Sequence, residues 1–270
     1  MICIILPAYD EEKSVDDLLN RIDEVMHENK YDYKIIFVND GSGDRTAGVL
    51  SPYMDKLPIE VVTHSINRGL WETVRDGFER AAEICNPEDI IIRMDCDISH
   101  DPKYIPAMLS RINEGSDIVI TSRFRKGGGS LGVSAYRNLI SRIANLIMKM
   151  FFPIKGVWEY SCGYRAYKAE LVQDALKIFE NEFIGLRGLG FTCTLEKLIK
   201  FRMMKAKISE IPFILRYDLK ESDSKMITSI TTLGYLALIA KHIYPWGNTT
   251  RGWLKQIDTL NQGTNHWRGN

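Results

Sequence analysis

The chain has 270 residues, 45% hydrophobic and 26% charged, which is ample for one large or two small domains with a sizeable core. Thirty-five basic residues offset thirty-five acidic ones, so no global charge points to nucleic acid. The five cysteines (Cys3, Cys85, Cys96, Cys162, Cys193) are an odd number without a C-x-x-C pair, which fits reduced cytosolic thiols better than disulfides or a zinc site.

The first element is "ICIIL" (2–6), a short apolar run that stops at Pro7 and reads as a buried strand. Acidic residues follow too quickly for a signal peptide. From Ser14, "SVDDLLNRIDEVM" places Val15, Leu18, Leu19, Ile22, Val25 and Met26 on one helical face. "KIIFV" (34–38) is a second strand, broken by the turn-rich "NDGSGD". "IEVVT" (59–63) is a third, followed by a helix through "WETVRDGFERAAEI". "DIIIRM" (89–94) is a fourth, then a helix around "YIPAMLSRI", then "DIVITS" (117–122) as a fifth. Strands separated by helices predict an α/β fold of three layers, α/β/α, with a mostly parallel central sheet. Glycine-rich "RKGGGSLG" (125–132) is the clearest loop, and no stretch reaches the ~20 apolar residues of a membrane-spanning helix.

In such a sheet, ligands bind outside the carboxyl ends of the strands. The residues that follow each strand are polar. They are Tyr9, Asp10, Glu11 and Glu12 after the first, Asn39, Asp40 and Asp44 after the second, and Asn67 and Arg68 after the third. Asp95 and Asp97 follow the fourth; Arg123, Arg125 and Lys126 follow the fifth. Two carboxylates one residue apart both stay ionised cheaply only with a cation between them. Oxygen ligands suit Mg2+ or Mn2+, which commonly bridge one or two carboxylates to phosphates. A lone D-x-D can equally cap a helix, but Asp101-Pro102 already supplies the cap and first turn of the next one. That leaves Asp95 and Asp97 without a structural job, so the pair reads as a metal–phosphate bridge.

"ILPAYDEEKSV", "FVNDGSGDRT", "NRG", "RMDCDISHDP", "SRFRKGG" and "SCGYRAYK" occur in an order and spacing that resemble the family 2 glycosyltransferases. The similarity covers roughly residues 1 to 226 and is greatest to the dolichyl- or polyprenyl-phosphate mannosyltransferase-like branch. It implies a GT-A fold (Rossmann-like), a nucleotide-sugar donor and a divalent metal. Carried over by position, it implies that Pro7, Tyr9 and Glu11 bind donor, with Asp10 where the family usually has Asn. Asp40 would meet the base or ribose, Asn67 would join the donor set, and Asp97, more directly than Asp95, would hold the metal. Ser99 stands where many relatives carry Gln, so either a water fills that place or metal selectivity differs.

Transfer to a hydroxyl needs a general base. Neither the Q-x-x-R-W motif of processive relatives nor a convincing later acidic motif is present. A phosphate monoester, with a second pKa of about 6, needs no base but does need positive charge. Arg123, Arg137 and Ser141 match family positions that resemble a phosphate-acceptor cradle, and arginine suits bidentate phosphate contacts. Arg137 also opens the amphipathic "YRNLISRIANLIMKMFF", where the alternative is part of a solvated helix face. Arg165, Glu159 and Glu196 stay open between site and structure, while His64 and His100 read as hydrogen-bonded structural groups. "IPFILRYDLKESDSKM" (211–226) resembles the family's closing segment. Ser224 and Lys225 match its end, and the upstream basic residue falls on Lys220 or Arg216, with Lys220 taken for the site.

The expectation is a catalytic domain over 1–225 and a C-terminal amphipathic helix with polar tail over 226–270. That helix is too polar to span; it would either lie in a membrane interface or pack on the domain. The expected activity is inverting transfer of a mannose- or glucose-type hexose from a GDP- or UDP-sugar to a polyprenyl phosphate, with Mg2+ or Mn2+. Asp97, Arg123 and Arg137 would carry the chemistry. The alternatives are transfer to a sugar hydroxyl of a surface or lipid-linked glycan, and a silent nucleotide-sugar-binding scaffold. The expected place is the cytoplasm, free or peripheral on the membrane's cytoplasmic face, with a membrane-protein partner as a further option. Nothing around Asp40 separates guanine from uracil in the sequence alone.

Overall fold

Most of the predicted strands are too apolar to tolerate water on either face, and the computed structural model, which describes residues 1–189, 192–220, 228–243 and 249–263, buries them between helices, while "IEVVT" (59–63) lies half-exposed at the sheet edge. The chain runs β1 (Ile2–Ala8), α1 (Val15–Glu28), β2 (Tyr33–Asn39), α2 (Thr46–Met54), β3 (Ile59–Thr63), α3 (Leu70–Ile84) and β4 (Ile90–Arg93). It continues with α4 (Ile105–Asn113), β5 (Ile118–Ser122), β6 (Gly129–Leu131), α5 (Ala135–Phe151), β7 (Arg165–Lys168) and α6 (Ala169–Phe179). The last elements are α7 (Thr192–Met203), β8 (Ile208–Pro212), β9 (Ile214–Arg216), α8 (Thr228–Ile243) and α9 (Thr249–Gly263). The main sheet has the order β3-β2-β1-β4-β7-β5-β8, and a small second sheet pairs β6 with β9.

All neighbours in the main sheet are parallel except β7, which runs antiparallel between β4 and β5. Only four residues long and beginning with arginine, "RAYK" carries no strand periodicity; its place comes from Tyr167, which meets Phe78 edge-on at 5.3 Å. Side chains alternate across the sheet. Cys3, Ile5, Val38 and Phe78 belong to a core under α3, α6 and α7, while Ile4, Phe37, Ile92 and Leu18 belong to one under α1 and α4. Gly77 lets α3 approach closely, since a Cβ there would stand 2.5 Å from Ile5 Cγ2.

Register brings the strand ends level. Ala8 pairs with Asn39, and Asp40 N–H donates to Ala8 O at 2.8 Å. Ile5 pairs with Arg93, so β4 delivers Asp95 beside the same edge. The Asp101 carboxylate accepts Lys103 N–H at 3.0 Å with Pro102 in the first turn, the cap that the sequence implied. At the C-terminal side, Leu238 of α8 and Trp253 and Ile257 of α9 are buried in the first core, while Leu233 and Leu236 of α8 face outward. Among the described residues, no helix is long and apolar enough to cross a membrane.

Candidate active site

The loops after β1 and β2 are sewn together. Asp10 N–H donates to Ser42 Oγ (3.0 Å), Gly43 N–H to Asp10 Oδ1 (2.8 Å) and Glu11 N–H to Thr46 Oγ1 (2.9 Å). Asp10 adopts φ +50°, a left-handed conformation that Asp and Asn tolerate. Pro7 is buried in β1, Glu11 is buried just beyond it, and Tyr9 is half-buried. Asp40 is almost fully buried: Oδ1 accepts Arg68 N–H (2.8 Å) and faces His64 Nδ1 (2.6 Å), and Oδ2 accepts Gly69 N–H (2.9 Å). Asn67 is exposed on the loop that Asp40 pins.

The D-x-D pair has structural partners after all, which corrects the view that nothing but a metal explains it. Arg93 is the last residue of β4 and only 3% exposed; its Nη2 lies 2.6 Å from Asp95 Oδ1. Its guanidinium occupies the space a side chain at 163 would need, since a Cβ on Gly163 would fall 1.5 Å from Nη1. Asp95 N–H also donates to His100 Nδ1 at 2.9 Å, and the His100 ring stacks on Tyr164 at 5.2 Å. Burial disfavours the ionised form, yet Arg93, with His100 and Lys220, holds the Asp95 carboxyl below the usual carboxylate range. Asp97 contacts the Lys220 ammonium and the Ser99 hydroxyl. So the short Ser99 bonds to Asp97 itself, where a glutamine would reach further. Between them, buried Ile98 sits at φ +39°, a strained position for a β-branched residue and the kind that gathers at functional sites. Lys220 is raised above the ordinary lysine value despite its burial, by Asp97 and then by Asp95 and Glu11.

The acceptor candidates are also held. Arg123 donates through Nε and Nη2 to Glu159 (2.8 Å each), and through Nη2 to Ser141 Oγ (3.2 Å) and Ser161 Oγ (2.9 Å). Glu159 is fully buried; burial opposes its charge, but Arg123 keeps it below the normal glutamate range. Arg137 is exposed and lies over the Tyr217 ring at 5.5 Å, while Lys220 lies over the same ring at 5.8 Å. Tyr217 therefore links Arg137 to the lysine on Asp97, a connection the sequence did not signal. Arg216 donates its N–H to Ser99 O (3.1 Å) and its guanidinium to Asp218. Lys225 and Ser224 lie outside the described residues.

Arg165 donates to the carbonyls of Cys162, Thr194 and Tyr160, a core-bracing role. Glu196 pairs with buried Lys200 at 2.9 Å and accepts the N–H groups of Gly185 and Leu186. Arg93 is the residue that sequence reasoning overlooked. The signal was an arginine inside an apolar strand two positions before the D-x-D.

Among the described residues, no three His, Cys, Asp or Glu side chains converge on one cation position. The oxygens of Asp97 nevertheless fit a hard cation, for one of them already holds an ammonium. Such an ion takes one or two carboxylates and completes its shell with substrate phosphates.

Glucosyl-3-phosphoglycerate synthase from Mycobacterium tuberculosis, solved with Mn2+, uridine diphosphate and phosphoglyceric acid, superposes with a TM-score of 0.55 at 16% identity. The match covers 88% of this chain and 78% of that one. The fold is thus the GT-A arrangement of an α/β/α sheet. Residues 3–176 match the family model "Glycosyl transferase family 2", and the chain belongs to that family. It is 30% identical over 260 residues to the dolichol-phosphate mannosyltransferase of Pyrococcus furiosus, covering 96% of this chain and 66% of that protein. It is 28% identical over 193 residues to the undecaprenyl-phosphate 4-deoxy-4-formamido-L-arabinose transferase of Pseudomonas fluorescens, covering 70% of this chain and 54% of that one. The chain spans between half and two thirds of the length of these curated relatives.

Proposed function

We propose that this chain transfers a hexose, with inversion, from a GDP- or UDP-sugar to a polyprenyl phosphate. One observation carries the choice of acceptor. Helix α5 bears Arg137 and Ser141 in its first two turns and an outward apolar stripe along its whole length. Leu139, Ile143, Leu146 and Met150, at helical spacing, are 56%, 49%, 54% and 71% exposed. A monomer rarely leaves so continuous a patch bare. With Arg142 and Lys149 among these residues, the helix has the composition of one that lies in a bilayer interface. A helix seated there would hold a lipid phosphate at Arg137, Ser141 and, through Ser141, Arg123. The names of both curated relatives, which specify dolichol phosphate and undecaprenyl phosphate, support the same class.

Asp97, with Asp95 beside it, would hold Mg2+ or Mn2+, which neutralises the leaving diphosphate when bound. Lys220, already against Asp97, is placed to follow charge that develops on the diphosphate. Glu159 fixes the fork of Arg123, so that its remaining nitrogen and Arg137 orient the acceptor oxygen toward the anomeric carbon. The acceptor phosphate is largely dianionic near pH 7 and serves as nucleophile without a base. In this reading residues 1–225 are the catalytic domain, 226–270 a C-terminal element, and the enzyme is peripheral on the cytoplasmic face of a membrane. The test uses vesicles containing polyprenyl phosphate, Mn2+, and radiolabelled GDP-mannose or UDP-glucose. Label extracted with the lipid is expected from one donor. Label that appears only on an added oligosaccharide would replace the lipid phosphate by a sugar hydroxyl.

A further inference from the structure

His64 leaves the end of β3 with its N–H donating to Asn39 O at 2.9 Å, and its side chain is buried. Nδ1 lies 2.6 Å from Asp40 Oδ1, and Nε2 lies 2.8 Å from Asp76 Oδ2 on α3. Both ring nitrogens thus face carboxylate oxygens. The other charges in contact are Arg68, at 3.5 Å from Asp76, and Glu72, at 2.7 Å from Arg68. On the far side of Asp40, the backbone at 66–67 is pressed onto the turn after β2. Gly41, at φ +67°, would put a Cβ 2.5 Å from Ile66 C and 2.8 Å from Asn67 N. The carboxylate is held in one plane by a ring on one side and a loop on the other.

A carboxylate offers about four acceptor positions, two on each oxygen. On Asp40, His64 and Arg68 N–H fill both positions of Oδ1, and Gly69 N–H fills one of Oδ2. One position on Oδ2 is left. Uracil presents a single ring N–H flanked by two carbonyls. Guanine presents a ring N–H and an adjacent amino N–H that together pair with both oxygens of a carboxylate.

We propose that His64 is a positioning residue that sets base choice: by occupying Asp40 Oδ1 it leaves one acceptor, which admits uracil and disfavours guanine. This rests on the reading of Asp40 as the residue that meets the nucleoside, and it narrows the donor to a UDP-sugar.

The test is isothermal titration of UDP and GDP, each with Mg2+, into the wild-type chain, His64→Ala and Asp76→Asn. The wild type is expected to bind UDP at least ~10-fold more tightly than GDP, the size of effect one unmatched hydrogen-bonding edge produces. His64→Ala frees an Asp40 acceptor and should bring that ratio below about threefold, chiefly by improving GDP. Asp76→Asn changes only the partner of the ring's far nitrogen, not Asp40, and loosens the ring from that end; it should lower the ratio in the same direction and serves alone if His64→Ala does not fold. GDP binding as tightly as UDP to the wild type overturns the proposal. So does a ratio that neither variant moves, since a merely structural histidine would weaken both nucleotides together. Binding of neither nucleotide to the wild type would instead defeat the donor reading beneath it, and the proposal with it.

Discussion

The Lys220 ammonium rests on the Asp97 carboxylate, with Asp95 and Glu11 close enough to stabilise its charge. A resident cation therefore occupies the acidic pair without donor. Any metal that reaches Asp97 does so in competition with this lysine, and on the proposed function the lysine, once displaced, would stand beside the donor phosphates. Lys220→Met should consequently strengthen Mn2+ binding in the absence of nucleotide, by roughly tenfold, while lowering the transfer rate by ~10²-fold through loss of transition-state charge. Titration calorimetry reads the first effect and turnover the second. Unchanged Mn2+ affinity would show that Lys220 does not compete for the site.

The pairing of Arg93 with Asp95 separates the two aspartates by what their loss does to the fold. Removing one partner of a buried pair strands the other charge, which typically costs 3–5 kcal/mol. Asp95 is 31% exposed, so the loss in Asp95→Ala should be smaller, about 2 kcal/mol, and visible as a lower melting temperature. Asp97→Ala strands an ammonium that is 11% exposed against 3% for the Arg93 guanidinium and whose flexible stem can turn to water, so this variant should melt closer to the wild type than Asp95→Ala while losing transfer. Acid follows the same sign. Because the Asp95 carboxyl is held below its unfolded value, its contribution is complete above pH ~4 and disappears as pH falls through the depressed folded value. The Asp95→Ala deficit should therefore shrink in melts run at pH 3.

Much of this site was legible because it obeys a rule about strand ends. Tyr9, Asp40, Asp95 and Arg123 follow four different strands, and parallel topology alone gathers them. The partners of those residues were not legible, because they come from across the chain. Glu159 lies 36 residues from Arg123, and Lys220 lies 123 residues from Asp97. Strand β7 failed to register for a related reason. Arg165 opens it, and what makes an arginine acceptable there is three buried carbonyls, two from the loop just before it (Tyr160, Cys162) and one from Thr194 on α7, which no strand periodicity encodes. Tyr164 and Tyr167, on either side of Arg165, are buried in the two opposite cores.

Lys197 is a buried amine with no hydrogen-bond partner among the described residues, lying 4.8 Å from the Phe78 ring centre. Desolvation lowers its pKa to about 7. Between that value and the ordinary value near 10.5 the unfolded chain binds the extra proton, so this group's penalty is full below pH 7 and fades as pH rises. Lys197→Met should thus raise the melting temperature at pH 7, by about 1–3 kcal/mol of stability, and gain much less at pH 10. An equal gain at both pH values would mean that the amine is not titrating with folding.

The stripe on α5 makes the last prediction separable from all the others, because its residues touch neither the D-x-D nor the core. Ile143 and Leu146 are 49% and 54% exposed, so charged substitutions there meet water rather than packed side chains. Ile143→Asp with Leu146→Asp should leave the melting temperature within about 0.5 kcal/mol of wild type, as surface changes do. The same double variant should abolish flotation with anionic vesicles, since it removes apolar area and adds negative charge at the lipid face. Transfer to a short, water-soluble prenyl phosphate should persist, whereas transfer to a long-chain acceptor in vesicles should fall at least ~10-fold, because only the second depends on the helix meeting the bilayer. Full flotation of the double variant would mean that α5 is not the membrane face, and the outward leucines of α8, Leu233 and Leu236, would be the surface to charge next.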